Sequence, residues 1–220
     1  MAAEKNKRQA AEQNQAGLDH FENWDIDNAI VAFQKATQLD PSNSDYHLNL
    51  ARAYARSSDY HHAMQALGDY IHTESDPEVT ERYERLFSSA LDDVETVLIE
   101  TMRKEDMPLQ QIGKAIQMWL EYRITIGRQS MPQAKPNLWA AALAYAVTKV
   151  NFTDEVDRPA IARAFRVSDK ALKAQYDTLI STLDLMPADY RYFVGDENPL
   201  DKLVEAAQLL EELDAKFRDA

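Results

Sequence analysis

The chain has 220 residues and a formal net charge of −13, is 45% apolar, and contains no cysteine. This length suits one large or two small domains with real cores, and the missing cysteine excludes disulfides, thiolate catalysis and cysteine-based zinc sites. No apolar run approaches the roughly 18 to 20 residues needed to span a bilayer, and MAAEKNKRQAAEQNQ lacks an apolar signal core, so a cytoplasmic location and no membrane partner are expected. Five glycines against abundant Ala, Leu, Gln, Glu and Lys favour helix throughout. The charge is uneven: residues 1–73 carry −4, 74–107 carry −7, 108–183 carry +4 and 184–220 carry −6.

From the N-terminus, GLDHFENWDIDNAIVAFQKATQLDP (17–41) lies over ARAYARSSDYHHAMQALGDYIHTES (51–75) at a shift of 34 residues. Gly17 then pairs with Ala51, His20 with Tyr54, Asp25 with Asp59, Ile26 with Tyr60, Ala29 with Ala63 and Phe33 with Leu67. Small residues at 17/51 and 29/63 let antiparallel helices approach, larger ones at 26/60 and 33/67 fill the space beside them, and Leu39-Asp40-Pro41 ends the second helix.

These positions resemble the tetratricopeptide repeat (TPR), a family of 34-residue helix–turn–helix units, over residues 10–77. The first-helix tryptophan of the family is replaced by Gln13 and His47. The resemblance implies a groove for a protein or peptide partner, lined by Asn14, Leu18, Phe21 and Glu22 from the first unit and Asp45, Leu48, Asn49, Arg52, Ala55 and Arg56 from the second. Only Asn49 fits the family's carboxylate clamp, so that clamp is not carried over. The alternative is that these helices only pack against the C-terminal domain. Residues 78–104 are periodic through Val79, Tyr83, Leu86, Phe87, Ala90, Leu91, Val94 and Leu98, and supply either a long capping helix or a degenerate third unit. The first domain is thus residues 1–106.

Residues 107–220 form a second helical domain. MPLQQIGKAIQMWLEYRITIG has an apolar face of Ile112, Ile116, Trp119, Leu120 and Ile124. QSMPQAKPN (129–137) reads as a loop, with Asn137 capping or starting LWAAALAYAVTKV, whose alanines make it the narrow, buried centre. In IARAFRVSDKALKAQY (161–176), the order apolar, small, apolar, turn, N-cap, apolar has the spacing of a helix-turn-helix, with Ser168 as N-cap and Leu172, Tyr176, Leu179 and Ile180 or Leu183 buried. The segment 108–183 resembles the second half of a cyclin-type repeat, as in the general transcription factor IIB, and a bacterial helical domain marked by WAAALAYAV…NF followed by IA..F.VS, neither of which carries an activity over. If the unit at 158–183 touches nucleic acid, the contacts are Arg163, Arg166, Lys170 and Lys173; the rival is a structural corner with Arg166 where glycine is usual.

Tyr190, Tyr192 and Phe193 read as an aromatic anchor for a final amphipathic helix. Its stripe of Leu200, Leu203, Val204, Ala207, Leu210 and Leu213 packs back or pairs two copies through 199–217. The five histidines lie in the repeat region, with His61 and His62 about 100° apart on a helix, and Asp92-Asp93 and Glu211-Glu212 read as solvated faces, so no metal is expected. No phosphate loop, GxSxG or HExxH occurs, so neither catalysis nor a cofactor is expected. The expectation is an all-α protein, TPR-like hairpins followed by a compact cyclin-like or helix-turn-helix bundle, acting as a cytoplasmic interaction module or adaptor. The alternative is a regulator whose C-terminal half contacts nucleic acid.

Overall fold

The computed structural model describes residues 2–87, 91–129, 135–152 and 157–195. Among the described residues there are ten α-helices and no strand, so the chain is all-α. None of these helices is long and apolar enough to cross a membrane. Two compact units divide the chain, one of residues 1–90 with 120–131 and one of residues 91–119 with 132–220. A cut at 106/107 does not coincide with this division, because residues 91–106 belong to the second unit and residues 120–129 return to the first. The stripe at 199–217 lies outside the described residues.

In the first unit, α1 (Ala2–Glu22) pairs with α2 (Ile26–Leu39), and α3 (Ser44–Arg56) with α4 (Tyr60–Thr73). The 34-residue period extends to the backbone. Trp24 and Ser58 both take the left-handed conformation, with φ of 60° and 62°. The next amides, Asp25 and Asp59, donate to His20 and Tyr54 carbonyls at 2.9 Å, occupying carbonyls that the last turn leaves open. Asp25 and Asp59 then sit at equivalent positions before α2 and α4. Both carboxyls are held below their usual value, Asp25 chiefly by the Asn28 side chain and Asp59 chiefly by the His62 amide. Close helix contact explains the small residues: a Cβ at Gly17 would lie 2.5 Å from the Phe33 ring. Ala29, Phe33, Ala51, Ala63 and Leu67 are buried in one core.

Residues 78–104 do not form one long capping helix. Asp76 caps α5 (Pro77–Glu84) by accepting from the Glu78 amide at 2.9 Å, a 3-10 turn covers Arg85–Phe87, and a separate α6 (Asp93–Lys104) begins in the other unit. The reason is a capping box: Asp92 accepts from the Glu95 amide at 2.7 Å while the Glu95 carboxylate accepts from the Asp92 amide at 3.0 Å. Asp92 is therefore engaged with the fold rather than part of a solvated acidic face, and it also accepts from the Trp119 indole at 2.8 Å. Phe87 and Leu91, expected on the apolar stripe, are exposed.

The second unit holds α6, residues 109–119 of α7 (Leu109–Thr125), α8 (Pro136–Val150), α9 (Arg158–Ala164) and α10 (Asp169–Leu183), with α8 packed against α6, α9 and α10. The alanine-rich α8 is buried on nearly every side, as its narrow profile requires, and the Trp139 ring lies 5.2 Å from that of Trp119, tilted by 46°. Lys135, not Asn137, is the N-cap of α8; Asn137 instead donates to the Phe165 carbonyl at 3.1 Å. After α10 the chain is anchored by a charged pair rather than by three aromatic rings. Asp189 and Arg191 are fully buried and 2.7 Å apart, Tyr192 and Phe193 are buried, and Tyr190 is exposed.

Candidate functional site

The positions expected to line a partner groove come together in the first unit. On α3, Leu48, Arg52 and Arg56 follow at spacings of four, which places them on one face, with Asn49 beside them. Asn49 donates to the Asn14 side chain at 2.9 Å and Arg52 donates to Asn49 at 3.3 Å, linking α1 to α3. Leu18 and Phe21 pack against the core that contains Leu48.

This face is already occupied by the chain itself. Arg56 pairs with Glu121 at 3.0 Å, with side chains only 5% and 1% exposed. Its guanidinium also lies 4.9 Å from the Phe21 ring and 4.8 Å from the Trp24 ring, so one cation is held by two aromatic faces and a carboxylate. Ile124 is fully buried in the same core as Leu48 and Ala51. The Tyr83 hydroxyl donates to the carbonyl of Arg123 at 3.3 Å. Leu48, Asn49 and Arg56 are consequently buried, while Asn14, Leu18, Phe21 and Arg52 are half-buried.

The covering segment ends at Gly127, whose φ of +59° closes α7. A Cβ there would lie 3.2 Å from Leu48 and against the Arg52 guanidinium. Gly127→Ala is therefore expected to cost about 1 to 3 kcal/mol, from the left-handed backbone plus crowding, measurable as a lower urea midpoint. Arg82 donates to the Gly127 and Gln129 carbonyls. Arg128 reaches Asp45, Ser44 and Glu74, tying the start of α3 to the end of α4.

Glu74 makes this clamp pH-sensitive. Burial alone would raise its carboxyl, but the Asp76 amide, the Tyr70 hydroxyl, the Arg128 guanidinium and the Ser75 amide together hold it at about 2, against an ordinary 4.5. A carboxyl depressed on folding contributes stability above its unfolded value and loses it as pH falls toward the folded one. Glu74→Gln is thus expected to lower stability by about 3 kcal/mol at pH 7, a gap that closes between about pH 5 and 2. Urea titrations of both proteins across that range measure it.

In the second unit the expected nucleic-acid residues surround the turn between α9 and α10. Arg166 takes φ +56°, its amide donates to Arg163, and the Val167 amide donates to Ala162 at 2.9 Å, so the turn closes with arginine where glycine is the usual choice. Ser168 caps α10 as expected, accepting from the Ala171 amide at 3.2 Å. Arg166→Gly is expected to raise stability by about 0.5 to 1 kcal/mol by removing the left-handed cost, read as a higher melting temperature. Arg163, Arg166, Lys170 and Lys173 are all exposed. Lys173 is paired with Asp177 at 2.6 Å, and Asp169, between the lysines, is bound in two-pronged fashion by Arg158 at 2.6 and 2.9 Å. That guanidinium holds the Asp169 carboxyl below its usual value.

Two cations that the sequence reading missed border the same turn. Lys104 lines a cleft of about 290 Å³ with Asn137 and Arg166. Lys135 lines a second, of about 450 Å³, that shares Asn137 and Arg166. Their sequence separation from Arg166 left no local signal to find. Among the described residues no group of three or more His, Asp or Glu is placed to hold a metal.

Residues 17–58 match the family model for the TPR repeat. The match runs from the close-approach glycine of α1 through α2 to the left-handed Ser58 that ends α3. Residues 17–58 are thus similar to a repeat class whose general work is protein–protein interaction. No solved structure matches the chain.

Proposed function

We propose that the protein is a cytoplasmic adaptor that holds a partner protein and performs no chemistry of its own. The repeat match at 17–58, with seven groove positions gathered on α1 and α3, supports this reading most directly. Residues 120–128 already engage Leu48, Arg52 and Arg56. A partner using those positions has to displace this segment; one that leaves it in place meets Asn14, Leu18, Phe21 or another surface.

The test starts from the full chain, tagged and purified from its own cells at about 150 mM salt. A stoichiometric protein partner that survives size-exclusion chromatography is the expected result, and no partner beyond the untagged control sinks the adaptor reading. Hydrogen exchange on the complex then separates the modes: displacement deprotects amides of 120–129, whereas binding elsewhere leaves them unchanged.

One observation favours a second reading, a regulator that contacts nucleic acid through 158–183: Arg163, Arg166 and Lys170 are exposed without an ion-pair partner among the described residues. Retention of mixed-sequence duplex at about 50 mM salt that is lost in Lys170→Glu/Lys173→Glu is its expected signature.

A further inference from the structure

We propose that the two clefts at the α9–α10 turn form a docking site for a short acidic segment of a protein partner. The inference rests on the adaptor reading and names the chemistry of what is held. Lys104, Lys135 and Arg166 line the clefts, and Arg163 and Lys170 flank the turn on either side. All five are exposed, and none has an ion-pair partner among the described residues. Against them stands one cleft carboxylate, Glu100. On a chain of net charge −13 this is a local concentration of positive charge, and it attracts carboxylates at short range while the remainder repels polyanions at long range.

Shape and charge layout favour a peptide over a duplex. The cations gather around a turn and two concavities and do not follow the exposed face of α10. Farther along that face Lys173 is neutralised by Asp177, and Ala174 and Thr178 carry no charge. A duplex presents a phosphate about every 1.7 Å of axis and rewards a long track of cations. A peptide with two or three carboxylates needs only a cluster, with a guanidinium able to take one carboxylate through two hydrogen bonds. Half-buried Val97, Leu138 and Val167 in the cleft walls add apolar contact for side chains between the acids.

Arg166→Gly separates binding from folding, since glycine suits the backbone at that position better than arginine does. The probe is a fluorescent peptide of alternating Glu and Leu, titrated by anisotropy against the full chain, beside its Gln-for-Glu counterpart and a mixed-sequence duplex. The expected result is salt-sensitive binding of the acidic peptide, weakened about tenfold by Arg166→Gly and again by Lys135→Ala, with the Gln peptide unbound. Equal affinity in wild type and both variants overturns the site, as does no binding of the acidic peptide at about 1 mM. Tighter binding of the duplex than of the peptide overturns it in favour of nucleic acid. Recovery of a stoichiometric cellular partner alongside a failed peptide titration leaves the adaptor reading standing and removes only this site.

Discussion

Arg56→Ala is expected to destabilise the first unit by about 3 to 5 kcal/mol, because it takes the guanidinium away from the Glu121 carboxylate, whose side chain is 1% exposed. The same substitution empties the space between the Phe21 and Trp24 rings, each under 5 Å from the guanidinium. The loss is set less by the strength of the ion pair than by the desolvation of the partner left behind. Removing both charges with Arg56→Met and Glu121→Leu is therefore expected to cost far less than the sum of the single changes. Hydrogen exchange of α1–α4 amides reads the first unit on its own. A loss below about 1 kcal/mol for Arg56→Ala, or additive effects in the double variant, would show that the pair is not desolvated as the geometry implies.

Arg191→Ala is expected to have a similar effect in the second unit, again about 3 to 5 kcal/mol. The Arg191 guanidinium donates to both Asp189 oxygens and to the Leu183 carbonyl at 3.0 Å, while Asp189 also accepts from the Met186 and Arg191 amides. Without the guanidinium, the fully buried Asp189 carboxylate loses its counter-charge and keeps only the two amide donors, and the Leu183 carbonyl at the end of α10 loses its side-chain donor. Asp189→Asn keeps the shape and some hydrogen bonds but removes the negative charge that faces Arg191, so it is expected to recover only part of the loss. Thermal unfolding followed through the buried Trp119–Trp139 pair measures both variants, and melting temperatures within about 2 °C of wild type would contradict the assignment.

The repeat was legible because it is local and periodic. Gly17, Ala29, Ala51 and Ala63 repeat at 34 residues, and each lies where helices must approach closely. The buried α8 was legible from its alanines, and the α10 start from Ser168. What covers α3 was not legible. The spacing of Ile116, Leu120 and Ile124 shows that α7 buries a face, but not which surface meets it, and Glu121 beside that stripe reads as a solvated acid until Arg56 is placed against it across 65 residues of chain. The break before α6 was readable but was missed: Asp92 and Glu95 have capping-box spacing just ahead of an apolar run. At the α9–α10 turn, Arg163, Arg166, Lys170 and Lys173 stood out as a local run of charge. Their division into paired and unpaired cations, and their joining by Lys104 and Lys135, depends on contacts between helices.

The return of residues 120–129 to the first unit sets an order of events during synthesis. When the four repeat helices have left the ribosome their unit is still incomplete, since Ile124, Glu121 and the Arg128 clamp lie on chain not yet made. At roughly 5 to 20 residues per second, the stretch from residue 90 to residue 129 takes a few seconds. For that interval the α3 face presents Leu48 uncovered and Arg56 without its carboxylate. Until that stretch is made, the α3 face that carries Leu48 and Arg56 lacks the segment that covers it in the finished protein.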